Sequence, residues 1–435
     1  MKNICIFVVA LGLAYVVGCG HLEANDSALA SWSIAVTDSV DIDRGSWPIV
    51  ARVKLPAGID DPVFVLRREG RQEPVAHQVL AVVEPDVARL ADVADVNDGL
   101  VDVCFFADLS GCGMRRFDLD LVAKPRQATL GAPELQYRGE RFGTRVDAGA
   151  AEFAFDSVSG QFMTYVPQQS GRGEEMGFVQ DHRRPIHWNP DVWIPPASWG
   201  HVSDWNTSKP ELTPDFSESR GPLAYRSVRR GVMPNSNETL AEVSYTVFAG
   251  MPFILETSRM EFTNDTDIGA VRHNELVFSR GTHTHGIWPD DTGTPQLGRL
   301  FDPEDPKKIY GLIKRAKADI PWIGLVHPSG GYGIAIINNW YGSSAPQGSV
   351  GAQDENAVYY LLDYGEHPAE NFHFNFSYVC RTLLSPVTVV KGSVFGERSA
   401  FLTFSVEPDG KARYDYLLRW TKLLGNLPVV EIMAN

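Results

Sequence analysis

Basic clusters are what this sequence lacks most. Its 39 Lys and Arg residues are outnumbered by 54 Asp and Glu, a formal net charge of -15 over 435 residues. Phosphate backbones are held by grouped Lys and Arg, so the absence of any basic run excludes nucleic acid as a partner. An acidic surface does not exclude an acidic sugar, because a local Arg or metal cluster can reverse the field inside one cleft. Cysteine is scarce as well, with five in the chain. Cys5 and Cys19 fall in the first twenty residues, and the remaining three thiols form neither a zinc knuckle nor a nucleophile context. Cys104 and Cys112 flank the short stretch 105–111. They either bridge across a hairpin in an oxidising compartment or stand as separate thiols. No phosphate loop, dinucleotide fingerprint or internal repeat is present.

Long apolar runs are missing too, apart from residues 4–17, which follow the positive start Met1-Lys2-Asn3. That run has the length of a signal h-region and is too short to span a bilayer. It ends in Val16-Val17-Gly18-Cys19, which resembles a bacterial lipobox. The expectation is an exported lipoprotein, periplasmic or on the outer surface. Residues 1–19 then form the signal, Cys19 the lipidation site and 20–30 a tether. The membrane is a partner through that lipid alone.

The rest of the chain reads as β. Short alternating or β-branched segments such as 32–36, 48–53, 63–66 and 119–122 are separated by Gly, Pro and Asp. They predict a small N-terminal β-sandwich or barrel over 31–130, ending at a Pro-rich joint. From 134 to 435, strands recur without amphipathic helices between them, which excludes a parallel α/β fold and predicts one large antiparallel β-sandwich. Residues 412–424 carry apolar side chains at helical spacing and predict a short C-terminal helix.

Reactive groups concentrate in two places. Nine of the eleven histidines lie beyond residue 180, and four of the ten tryptophans fall between Trp188 and Trp205. The segment 182–206 holds Arg183, Arg184, His187, Trp188, Asn189, Trp193, His201, Asp204 and Trp205. It is too rich in Pro and polar groups for a regular strand, and long irregular segments in compact domains are usually functional. Indoles beside amides and carboxylates suit a sugar, whose C–H face stacks while its hydroxyls are hydrogen-bonded. A structural cap made of the same residues is the competing reading. The second place is 272–291, where an extended backbone puts His273 with Glu275 on one face, and His283 with His285 on one face. Such an imidazole pair divides acid and base work, or ligates a divalent metal, the only cofactor expected, with His201, Asp204 and His283 as candidates. Arg280 and Trp288 belong to this stretch, and Trp340, Tyr341 and Tyr364 to a third group of aromatics.

The stretch 160–380, with the phrases Tyr245-Thr246-Val247-Phe248-Ala249-Gly250-Met251-Pro252-Phe253 and Glu261-Phe262-Thr263-Asn264-Asp265, resembles the large β-supersandwich of galactose-mutarotase-like domains in polysaccharide lyases and some glycosidases. Residues 41–122 are similar to the small β-barrels that precede it in rhamnogalacturonan-exolyase-like proteins. The helical toroid of many such lyases is absent from this sequence. The resemblance implies β-elimination on a uronic-acid-containing polysaccharide, in which a carboxylate is neutralised, the adjacent proton removed and the departing oxygen protonated. Arg183, Arg184 or Arg280 would neutralise, His187 or His285 act as base, and Tyr341 or Tyr364 as acid. Trp188, Asn189, Trp193, Trp205, Trp288 and Trp340 would bind substrate. Two rivals stay open. A glycoside hydrolase needs two carboxylates about 5 to 9.5 Å apart, with Asp191, Asp204, Asp290, Asp291 and Glu275 as candidates. A non-catalytic surface glycan-binding protein needs only an aromatic strip.

Overall fold

The computed structural model describes residues 28–83, 99–123, 134–167, 187–188, 190–193, 202–203, 215–234, 236, 238–279, 282–300, 310–347, 349–351, 355, 357–364, 376–383, 387–406 and 414–435. The signal, the lipobox with Cys19 and nearly all of the tether lie outside these residues. Among those described, no helix is long and apolar enough to cross a membrane. The chain is mostly β, with antiparallel sheets and one short helix near the C-terminus, as the strand rhythm predicted.

The N-terminal unit is a sandwich of two sheets. Ala30–Asp38, Val63–Arg68 and Gly113–Val122 lie in one, and Ser46–Lys54, His77–Leu80 and Leu100–Asp108 in the other. Alternation drives the packing: Trp32, Ile34 and Val36 point inward from the first strand and meet Ile49, Val103 and Phe105 from the facing sheet. The strands on either side of 105–111 belong to different sheets, so this connection turns a corner between layers instead of making a flat hairpin. Cys104 is accordingly buried, Cys112 exposed, and the two are not bridged. The expected division at 130–134 is crossed by the end of the chain: Val429–Ala434 pairs antiparallel with Ala30–Asp38 and completes the N-terminal sheet.

The second unit packs a seven-stranded sheet against a nine-stranded one. Phe162, Tyr245, Ile254, Phe278, Ile336 and Phe401 fill the space between them. The nine-stranded sheet is buried on its other face as well, because Phe248, Phe253, Trp322, Ile337 and Leu402 pack against the N-terminal unit and the helix Tyr414–Gly425. Trp47, Phe253 and Trp420 seal this contact, with ring centroids 5.5 to 5.9 Å apart. Leu417, Leu423 and Leu424 are the buried stripe of the helix.

Two β-bulges set which side chains face where. In Ala270–Ser279 the pairing with Phe376–Leu383 slips between His273 and Leu276, and Asn274 takes a left-handed backbone with φ 54°. One extra residue reverses every later side chain. His273 therefore points into the sandwich while Glu275 bonds Arg272, correcting the expectation that they share a face. In Tyr332–Ser344 the pairing slips between Asn338 and Trp340, which turns Trp340 outward beside Arg398 and Tyr341 inward over Arg381.

Candidate functional site

Cross-strand pairing on the outer face of the nine-stranded sheet builds a polar floor from residues far apart in sequence. Ser244 faces Thr257, Thr257 faces Arg398, and Arg398 faces Trp340, four directly opposed residues on four adjacent strands. Strands lie roughly 4.8 Å apart, so the row extends over about 14 Å. The next row runs Glu242, Arg259, Gly396, Gly342. Gly342 matters to the first row. A Cβ on Gly342 would stand 2.4 Å from Cζ2 of Trp340, so the half-buried indole lies across a floor only glycine provides.

Toward the N-terminal unit the floor passes into a cavity of about 360 Å³. Ser244, Thr246, Thr257, Arg226 and Arg398 form its base, and Trp47, Ile49, Arg52 and Asp102 its roof. Asp102 holds the seam, bonded by Arg226 Nη1 at 2.6 Å and Arg52 Nε at 2.8 Å. Arg226 Nε also donates to Thr246 Oγ1 at 3.0 Å, and its Nη1 to the carbonyl of Ala81 at 2.7 Å. Among the described residues, the charged side chains lining this cavity are three guanidiniums and one carboxylate.

Beneath the floor, inside the sandwich, lies a second polar layer. Arg381, fully buried, donates through Nη1 to Glu397, through Nη2 to Asn338 Oδ1 at 2.6 Å and through Nε to the carbonyl of Ala318 at 3.1 Å. The rings of Tyr341 and Tyr359 cover it at 4.3 and 4.7 Å. Tyr359 donates to Asn338 at 2.8 Å, and Asn274 reaches Ser399 at 2.5 Å. Burial drives the Tyr341 hydroxyl well above the ordinary phenol range despite the guanidinium beside it, so it stays protonated. His273 sits 3.8 Å from Glu397 with neither ring nitrogen hydrogen-bonded, and burial aided by Arg381 lowers its pKa to about 3. The arrangement locks the two sheets together and orients the backbone that carries Arg398 and Trp340 above it.

The sequence-predicted residues divide unevenly between these places. Trp340 lies on the outer floor and Tyr341 in the inner layer. Trp288 packs against the interior core, on the opposite face from Trp340. His283 and His285 do not share a face, because the strand begins only at His285. His283 is buried against Phe278, with ring centroids 3.8 Å apart, and burial together with nearby His327 holds it neutral. His285 lies opposite Val326 in the row of Ile287, on the outer side; burial and Arg299 lower its pKa. His187 and Trp188 pair with Leu276 and Glu275 of the seven-stranded sheet, Trp193 with Ala270, and Tyr364 with Tyr310 and Phe376; only these backbone pairings are described. Arg183, Arg184, Asn189, His201, Asp204, Trp205 and Arg280 lie outside the described residues. Among those described, no group of three or more His, Cys, Asp or Glu side chains is placed to hold a metal. Of the carboxylate candidates, Asp191 and Glu275 both bond Arg272, at 2.8 and 3.2 Å, while Asp290 caps an exposed turn through Thr292 and Thr294. Sequence reasoning missed Ser244, Thr257, Arg226 and Arg398. The available signal was the polar run Glu256-Thr257-Ser258-Arg259 inside a strand that starts as apolar Phe253-Ile254-Leu255.

No protein-family model matches the chain, and no curated protein matches it. Solved structures do. A protein in glycosyl hydrolase family 38 from Enterococcus faecalis aligns with 93% of this chain and 47% of its own, at 7% identity and a TM-score of 0.50. An α-mannosidase from Enterococcus faecalis V583 aligns over 93% and 46%, at 7% identity and 0.47. A galactose mutarotase-like protein from Lactobacillus casei ATCC 334 aligns over 62% and 99%, at 11% identity and 0.36. The chain spans about half the length of the two Enterococcus proteins. At this identity, the likeness to the first shows a shared fold and nothing finer.

Proposed function

We propose that this protein is an exported, lipid-anchored carbohydrate-active enzyme that binds a polysaccharide along the outer face of the nine-stranded sheet. The observation that carries this reading is the row Ser244, Thr257, Arg398, Trp340, with the indole laid across Gly342. Hydroxyls, a guanidinium and a flat aromatic spaced by one strand each suit a chain of hydroxylated rings: the indole stacks on a ring face while the polar groups bond its edges. The galactose-mutarotase-like phrases at 245–253 and 261–265 fall on or beside the strands that build this floor.

For the reaction we propose β-elimination on a uronic-acid-containing polysaccharide. Arg398 is the described cation best placed to neutralise a carboxylate on the floor. His187 and His285 remain the proposed bases, Tyr364 the proposed acid, and Arg183, Arg184 and Arg280 further proposed cations; Tyr341 turns inward over Arg381, beneath the floor, and is not proposed as the acid. Hydrolysis is the second reading, favoured by Glu242 and Glu261. Glu242 faces Arg259, which bonds it at 2.9 Å, while Glu261 faces Leu240, so the two strand positions stand diagonally on one face, about 7–8 Å apart, a spacing from which side chains can reach the separation paired carboxylates use. The fold shared with the glycosyl hydrolase family 38 protein is compatible with that chemistry.

Purified protein incubated with pectic, alginate, glycosaminoglycan and neutral polysaccharides separates the readings. Elimination releases reducing ends together with the ultraviolet absorbance of an unsaturated uronate. Reducing ends without that absorbance establish hydrolysis, and retention on a glycan without either product leaves a binding protein.

A further inference from the structure

We propose that the seam between the N-terminal sandwich and the nine-stranded sheet is an anion-binding subsite, assembled by both units and fitted to a carboxylate or sulfate on a saccharide. It deepens the reading above, on which its saccharide part rests, by naming the group taken and giving the N-terminal unit a share in the site. Among the described residues the cavity of about 360 Å³ is lined by Arg52, Arg226 and Arg398 against Asp102, in a chain whose net charge is -15. Two guanidiniums already meet that carboxylate, and Arg398 adds a third to the described lining.

The donors are arranged to receive something. Arg226 has only 8% of its side chain exposed. Its Nε and Nη1 are committed to Thr246, Ala81 and Asp102, and Nη2 is left as the donor without an acceptor among the described residues. That donor is open to the cavity, where a ligand oxygen can take the place of solvent. The hydroxyls of Ser244 and Thr257, directly opposed on the cavity floor, supply two more donors beside Arg398. Charge-assisted bonds from a guanidinium to a two-oxygen anion are the strongest contacts such a pocket offers. Trp47, Ile49, Phe253 and Leu427 add apolar side chains to the lining, which suit the ring of an acidic sugar.

The test titrates the whole protein with galacturonate, inorganic sulfate and glucose, reading heat and melting temperature. Galacturonate is expected to bind and raise the melting temperature, sulfate to bind more weakly and compete with it, and glucose to do neither at the same concentrations. Arg226→Gln and, as the variant less tied to folding, Arg398→Gln should each weaken galacturonate at least tenfold; Thr257→Val should weaken it several-fold with the melting temperature of the free protein retained. Glucose binding as well as galacturonate, or galacturonate binding unchanged in folded Arg398→Gln and Thr257→Val, overturns the subsite. Anion binding that persists while no polysaccharide is retained or cleaved refutes the carbohydrate reading and leaves the subsite standing.

Discussion

Replacing Glu397 by Gln examines the inner layer on which the outer floor rests. Glu397 and Arg381 are both fully buried, and the guanidinium is otherwise held by Asn338, the carbonyl of Ala318 and the rings of Tyr341 and Tyr359. The single change keeps the shape but leaves a cation in the interior without its counter-charge, a loss of about 3–5 kcal/mol when one partner of a buried pair is removed. Arg381→Met alone leaves a buried carboxylate 3.8 Å from His273 and should be comparably damaging. The double variant removes both charges and should recover much of the loss, because replacing a buried pair with uncharged groups of similar volume is often near neutral. Urea unfolding of the four proteins gives the coupling energy, expected above about 1 kcal/mol for groups in direct contact. A loss below about 1 kcal/mol in Glu397→Gln, or losses that simply add in the double variant, refutes the view that this pair locks the sheets.

Four other outcomes follow from the same geometry. Trp340→Ala should weaken glycan binding by about tenfold, ~1.4 kcal/mol, with an unchanged circular dichroism spectrum. Gly342→Ala should do nearly as much without touching the indole chemically, by pushing the ring off its floor, and should cost about 1–3 kcal/mol of stability as an overpacked site; isothermal titration and thermal melts check both. Stability should fall on acidification through His273: the unfolded imidazole takes its proton near 6.5 and the native one only near 3, so stability is full above 6.5 and is lost as pH drops between these values. His273→Phe should flatten that part of the urea-midpoint profile, and an unchanged slope counts against it. Thiol titration should find Cys112 reactive in the native protein and Cys104 reactive only on unfolding, since burial pushes the Cys104 thiol up to about 12.

Strand rhythm made the layered β architecture legible, because one buried face per sheet imposes a period of two that survives in single strands such as 32–36 and 63–66. The helix near the C-terminus was legible for the same reason, at its own period. The return of Val429–Ala434 to the first strand was not, since pairing partners almost the whole chain apart leave no local trace. Crowding of indoles and imidazoles in 182–206 and 272–291 drew attention to residues adjacent in sequence, whereas the floor takes one residue from each of four strands. Both bulges also defeat alternation: an unbroken period of two through Asn339 would put Tyr341 outward and Trp340 inward, the reverse of what is found. Reading the polar Glu256-Thr257-Ser258-Arg259 run as a strand with charge on both faces is the step that leads from sequence to floor.

The most direct measurement is isothermal titration of the intact protein and of Trp340→Ala and Arg398→Gln with an acidic oligosaccharide long enough to cover the row. Saturable binding that falls at least tenfold in each variant, with melting temperatures preserved, is what the outer floor predicts. Equal affinity in all three proteins would place the saccharide elsewhere and contradict the account.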